Sequence, residues 1–233
     1  MGKFEQVRLM DDGRVSAYGK RWAFDAQHCA HLLLNSGEKI DFASARSIER
    51  SVVGTGLGDE YRVRYSGFEG CDSLSFETIT RINDTTGFVD CIFVPLDMAG
   101  LNIQEVCWPQ PLVADGEGAY AVLNTMQGQL LPSDWPEAVG EKMPFNGQMG
   151  SESAYMPWWG EITPEGGYLC YVRTFWDSAY SIEHPAGGPT RVFVRHLPSQ
   201  GQMRYARTVT YCFVPAGSDY VTLCKLYRRI AEE

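Results

Sequence analysis

The feature that most constrains this chain is alternation of apolar and polar residues at period two. It is clearest in Tyr61-Arg62-Val63-Arg64-Tyr65 and Leu74-Ser75-Phe76-Glu77-Thr78. Successive side chains of a strand point to opposite faces, so such runs describe half-buried strands rather than helices. Phe88-Val89-Asp90-Cys91-Ile92-Phe93-Val94, Tyr168 to Phe175, Arg191 to Leu197 and Thr208 to Val214 read as further strands. Turn residues separate them. Asp11-Asp12-Gly13, Gly54-Thr55-Gly56-Leu57-Gly58, Asn83-Asp84-Thr85-Thr86-Gly87 and Ala186-Gly187-Gly188-Pro189 are hairpin or loop signals. Roughly a dozen strand candidates at this spacing, with almost no helical periodicity, predict an all-β chain built as a large antiparallel β-sandwich. Residues 96–119 read as irregular. Gln127 to Pro136 reads as an ordered loop, and 137–153, with three glycines and Pro144, as a long surface excursion.

The glycines at 54, 56 and 58 do not cradle a phosphate. That use requires a helix to open immediately after them, and a strand follows instead. His28-Cys29-Ala30-His31 lacks the further ligands that a zinc site requires, and His184 and His196 share no spacing with it. No metal and no cofactor is expected. The 29 acidic and 20 basic residues give a net charge of −9, which disfavours nucleic acid and anionic membrane as partners. No apolar run is long enough to cross a bilayer. The seven cysteines are odd in number and lie mostly within strand-like runs, where Cys packs as a small hydrophobe. With no apolar signal core after Met1, they point to free thiols and a cytoplasmic setting, secretion staying open if a leader was trimmed.

Tyr120 to Asp177 carries four of the six tryptophans: Trp135, Trp158, Trp159 and Trp176. Asn124, Gln127, Gln129, Asp134, Glu152, Glu161 and Asp177 stand among them. Flat aromatic faces beside short polar groups suit a sugar, whose ring has apolar C–H faces and an equator of hydroxyls. The same mixture also describes a β-protein core with a polar rim, and residue chemistry leaves both readings open. The candidate carbohydrate-binding residues are Trp135, Tyr155, Trp158, Trp159, Glu161, Trp176 and Asp177. No catalytic residue is assigned.

The last segment changes period. Tyr220, Leu223, Cys224, Tyr227 and Ile230 recur at helical spacing, and Ser218 or Asp219 can cap the first turn. Residues 1–217 are therefore expected to form the sandwich and 218–233 a connecting helix. An abrupt stop at such a helix is what a chain cut at the entry to a second domain looks like.

Four stretches carry a resemblance. They are Phe93-Val94-Pro95-Leu96-Asp97, Leu123 to Pro132, Tyr155-Met156-Pro157-Trp158-Trp159-Gly160, and Asp219-Tyr220-Val221 with Lys225-Leu226-Tyr227-Arg228-Arg229. Together they resemble the N-terminal β-supersandwich, of galactose-mutarotase-like type, that precedes the catalytic barrel in bacterial glycoside hydrolases of the endo-α-N-acetylgalactosaminidase-like kind. The resemblance implies a non-catalytic domain of a carbohydrate-metabolising enzyme, packed on a downstream catalytic domain of the same chain and contributing to carbohydrate binding. The hydrolytic carboxylate pair would then lie on that barrel. Two alternatives stay open. One is a stand-alone carbohydrate-binding module, which needs an exposed aromatic platform. The other is a mutarotase- or epimerase-like enzyme, which needs His184 or His196 within reach of Glu161 or Asp177.

Overall fold

The computed structural model describes residues 6–10, 14–25, 28–112, 118–125, 128–145 and 154–232. A small sheet opens the chain: β1 (Val7–Leu9), β2 (Val15–Ala17) and β3 (Lys20–Trp22). β4 (His31–Leu34) and β5 (Lys39–Asp41) follow, then four long strands joined as hairpins: β6 (Ser47–Thr55), β7 (Gly58–Phe68), β8 (Cys71–Ile82) and β9 (Val89–Asp97). The middle holds β10 (Ile103–Cys107), β11 (Tyr120–Thr125), β12 (Gln129–Pro132) and β13 (Val139–Pro144). β14 (Ala154–Thr163), β15 (Gly166–Val172), β16 (Ser178–His184), β17 (Arg191–His196) and β18 (Arg207–Pro215) complete the strands, and α1 (Tyr220–Glu232) follows them.

Two sheets face each other. One runs β12-β11-β14-β15-β18-β9-β8-β7-β6 and the other β13-β16-β17-β10-β4-β5, with every pairing antiparallel. One core fills the space between them: Phe76, Phe93, Tyr168 and Tyr211 from the larger sheet meet Leu32, Val106, Tyr180 and Val194 from the smaller. The all-β sandwich with a C-terminal helix stands as expected.

The two glycine-rich turns do what their spacing requires. Gly58 (φ +135°) opens β7, and a Cβ there would lie 2.1 Å from the Ile82 carbonyl oxygen, so only glycine fits that crossing. The Asn83 carboxamide caps the β8–β9 turn by accepting from the Thr85 and Thr86 amides at 2.9 and 3.0 Å.

Three segments depart from the sequence reading. Ile103 to Cys107 is not irregular but a strand inside the smaller sheet, paired with β4 and β17. Val139 to Pro144 is not a surface excursion: six register pairs join it to β16 as the edge strand. Gln129 to Pro132 pairs with β11 rather than looping. In each case a short or glycine- and proline-bearing run is held by its neighbour's backbone rather than by its own periodicity. Asp11, Gln127 and Glu152, with the stretch 146–153, lie outside the described residues.

Helix α1 seals the outer face of the larger sheet. The Thr222 amide donates to Asp219 Oδ1 at 2.8 Å, the N-cap expected from the sequence, and this bonding holds the Asp219 carboxyl below its ordinary pKa. Leu223 and Leu226 are buried against Val122, Trp158, Ile162, Leu169, Cys212 and Val214. Tyr227 stacks on Trp158 (centroids 5.6 Å apart, planes at 26°) and meets Tyr171 edge-on at 6.0 Å.

Candidate functional site

Register decides where the aromatic stretch goes. Across the larger sheet, Glu60, Arg81, Asp90, Thr210, Tyr171 and Trp158 lie in one cross-strand row. The next row runs Ile82, Val89, Tyr211, Cys170, Trp159 and Leu123. Adjacent rows face opposite sides. Trp158 therefore points outward and is covered by α1, while Trp159 points into the core against Phe145 and Tyr180. They are 2% and 1% exposed. Trp158 and Trp159, both named as candidate carbohydrate-binding residues, therefore offer no open ring face in this chain, and the two lie on opposite sides of one sheet.

Glu161 shares the inward parity of Trp159 and is 1% exposed, beside Tyr168. Burial, then the Glu161 charge, pushes the Tyr168 hydroxyl well above its ordinary pKa. Glu161 is thus a core carboxylate rather than a surface acceptor. Asn124 is also buried; its Nδ2 donates to the Met156 carbonyl at 2.5 Å and to that of Trp158, holding β14 where its pairing with β11 shifts register.

The exposed members of the set part to opposite ends of the sandwich. Trp135, beside the exposed Asp134, follows β12 at the end where β14 turns into β15. Its carbonyl accepts from Gly187 N at 2.7 Å and from His184 Nε2 at 3.0 Å. Tyr155, Trp176 and Asp177 lie at the other end, where β14 begins, β15 finishes and β18 begins.

At that second end a compact group forms. The 3₁₀ turn Phe175–Asp177 is pinned on several sides: Arg173 N donates to the Thr208 carbonyl (2.9 Å), Thr208 N to Thr174 Oγ1 (3.2 Å), Ser178 Oγ to the Thr174 carbonyl (2.9 Å) and Leu197 N to the Asp177 carbonyl (2.6 Å). Trp176 rests on Phe175 with centroids 4.6 Å apart and is still 71% exposed. Asp177 Oδ2 accepts from the Tyr205 hydroxyl and from Arg207 Nη2 at 3.2 Å. The Arg207 guanidinium sits 3.5 Å from the centre of the Tyr205 ring and is wholly buried. Burial lowers the Arg207 pKa, and burial followed by the hydrogen bond to Asp177 raises that of Tyr205, so its hydroxyl keeps its proton to donate. Tyr205 and Arg207 were not singled out in the sequence. Arg207 is the first residue of β18 and Tyr205 lies two positions before it, and nothing local marks an arginine there as buried.

The two later histidines meet no carboxylate through their hydrogen bonds. His184 Nδ1 faces Thr190 Oγ1 at 3.0 Å, and His196 Nδ1 faces Ser178 Oγ at 3.2 Å. Burial, then the neighbouring Arg207 charge, lowers the His196 pKa to about 3, so the ring is neutral at ordinary pH. His28 does pair with acids, Asp25 at 2.7 Å and Glu183 at 3.5 Å, but on the smaller sheet, in a group that also contains Arg191. Among the described residues no three His, Cys, Asp or Glu side chains converge as a metal site would require.

Fold and site together define a β-sandwich module: two facing antiparallel sheets with a small third sheet at the start of the chain, a sealing helix and, at one end, an exposed tryptophan beside an anchored carboxylate. No family model matches the sequence, and no curated protein matches it. Solved structures of the alpha-N-acetylgalactosaminidase NagBb from Bifidobacterium bifidum do match. The ligand-free structure is 30% identical with a TM-score of 0.83, the GalNAc complex 29% with 0.85, and the Gal-NHAc-DNJ complex 30% with 0.86. Each match covers 100% of this chain and only 38–39% of NagBb. The chain is thus similar, over its whole length, to part of a bacterial glycoside hydrolase, in line with the resemblance read from the sequence, and it spans less than two fifths of that enzyme's length.

Proposed function

We propose that this chain is a non-catalytic sandwich module of a glycoside hydrolase, which packs on a catalytic barrel and helps to hold carbohydrate. The observation that carries the reading is the full-length match, at 30% identity, to 39% of an alpha-N-acetylgalactosaminidase. The interior supports it. Glycoside hydrolysis uses two carboxyl groups flanking one bond in an open cleft. Here Glu161 is sealed in the core and Asp177 lies on the surface. The mutarotase-like alternative needs a histidine facing one of these acids, and the hydrogen bonds of His184 and His196 go to Thr190, the Trp135 carbonyl and Ser178 instead. In this reading residues 1–217 are the body and α1 is the element that leads toward the barrel. A stand-alone binding module built on Trp158 and Trp159 would need both rings on the surface, and both are buried.

The test compares the 233-residue chain with the product of its uninterrupted reading frame on an aryl α-N-acetylgalactosaminide. The chain alone is expected to give no turnover, and the longer product to hydrolyse the substrate. Turnover by the isolated chain, or a reading frame that encodes no further domain, sinks the proposal.

A further inference from the structure

We infer that the end of the sandwich bearing Trp176, Asp177 and Tyr205 is a binding subsite for a neutral pyranoside, with Trp176 as the stacking face and Asp177 Oδ1 as the hydroxyl acceptor. The inference deepens the proposed function and rests on it for the choice of ligand class.

The first support is that Trp176 is presented rather than merely exposed. Its turn is tied by backbone and side-chain bonds to β18, to β16 and to the residue after β17, and Phe175 backs the ring. A side chain already ordered loses little entropy on binding. Most tryptophans in a fold of this size cover core; one left 71% exposed on a braced turn has a face to offer.

The second support is the acceptor. Asp177 Oδ2 is occupied by Tyr205 and Arg207, and among the described residues no protein donor meets Oδ1. The carboxylate is thereby fixed in one orientation, with one oxygen available on the residue that follows Trp176 in the same turn. A pyranose stacked by its C–H face on that indole places equatorial hydroxyls at the ring edge, where such an oxygen can accept from them. The carboxylate repels anionic sugars, as does the overall charge of −9.

The third support is Arg207. Among the described residues its Nε and Nη1 are buried and meet no hydrogen-bond acceptor, a costly position for a cation. What the cation does accomplish is to fix Asp177 through Nη2 and to back the Tyr205 ring at 3.5 Å. Such expense at a surface carboxylate is characteristic of a site that must keep its shape. A purely apolar docking face would need neither the arginine nor the fixed carboxylate, so a sugar fits the group better than a protein surface does.

The test uses saturation-transfer NMR and calorimetric titration of the 233-residue chain with N-acetylgalactosamine, methyl α-galactopyranoside and glucuronic acid. Weak binding of the two neutral sugars is expected, with Kd of order millimolar, and none of glucuronic acid. Trp176→Ala should weaken binding at least about tenfold and Asp177→Asn by a similar factor. Trp135→Ala, at the opposite end, should leave it unchanged. Both Trp176 and Trp135 variants should keep the parent melting temperature. Absence of saturation transfer to either neutral sugar, retention of binding in Trp176→Ala, or equal loss in Trp135→Ala overturns the inference. So does a Trp176→Ala variant that leaves sugar binding intact but loosens association with the barrel, because that makes this end a protein contact. If the isolated chain binds no sugar while the longer reading frame still encodes an active hydrolase, the subsite alone has failed and the proposed function stands.

Discussion

Leu223→Ala tests whether α1 is part of the folded body or an appendage. Leu223 is completely buried, and the backing strand runs close to it: a Cβ built on Gly160 would lie 2.5 Å from Leu223 Cδ1. The wall beneath is strand backbone with Trp158, Leu169 and Cys212, which cannot collapse into the space that three lost carbons would leave. Buried Leu→Ala changes cost about 2–5 kcal/mol, the upper values where the cavity persists. A loss of about 3 kcal/mol is the central expectation, and in a chain of this size about 1 kcal/mol moves the midpoint by about 2–4 °C. The variant should therefore melt about 6–12 °C below the parent in a single transition, followed by far-UV circular dichroism. Val221→Ala, on the exposed side of the same helix, serves as the control and should shift by less than about 2 °C. If Leu223→Ala melts with the parent, or if protease removes 218–233 without lowering the midpoint, the helix contributes nothing to the core and the packing argument fails.

Further expectations follow from single contacts. Gly160→Ala brings its new methyl to 2.5 Å from the Tyr168 carbonyl oxygen as well as from Leu223, and a backbone oxygen cannot swing away; a cost of about 1–3 kcal/mol in urea midpoints is expected, and a neutral result would show that α1 sits further from the sheet. His196 is held neutral down to about pH 3 in the fold but titrates near 6.5 when unfolded. The unfolded state therefore binds the extra proton between these values, so stability falls as pH drops from 6.5 toward 3, by at most about 1.4 kcal/mol per pH unit from this group. His196→Gln should flatten that slope in urea titrations at pH 7, 6 and 5, and an unchanged slope refutes the assignment. Of the seven thiols, Cys29 and Cys224 are exposed, Cys71 is half-buried and the other four are buried, Cys107 with its pKa raised to about 11 by burial. An aromatic disulfide reagent should titrate two thiols quickly, a third slowly and the rest only in denaturant; rapid reaction of five or more would contradict the packing.

Much of the architecture was legible because the information is local. Period two marked β7 and β8, apolar strand-like runs marked β9 and β18, and the glycine and asparagine turns marked the β6–β7 and β8–β9 connections. The change to helical period marked α1 and its Asp219 cap. What escaped depends on neighbours. β10 carries Glu105 toward a buried position, tolerable only because Lys142 and Arg195 reach it from β13 and β17, at 3.2 Å in the case of Arg195. Those partners come from distant chain, so the run reads as polar and irregular. β13 has a glycine and a proline and is a strand only by virtue of β16.

The site was partly legible. Trp176 and Asp177 stand together in the sequence and in the fold, whereas Tyr205 and Arg207 join them only through the pairing of β18 with β15. The Trp158-Trp159 pair holds a plainer lesson. Adjacent residues of a regular strand face opposite ways, so β14 cannot set both rings in one plane; Ala154–Thr163 carries no period-two pattern, so this strand was not legible in the sequence.

The position of α1 in the chain bears on how the protein comes to be made. Every strand beneath the helix precedes it, so a growing polypeptide that has already paired β14, β15 and β18 still shows Trp158, Leu169 and Cys212 to solvent or to any chaperone at hand. That greasy face closes only when residues 220–232 arrive. Termination after Pro215 but before α1 would release a body with finished sheets and an open flank, prone to clump with others like it.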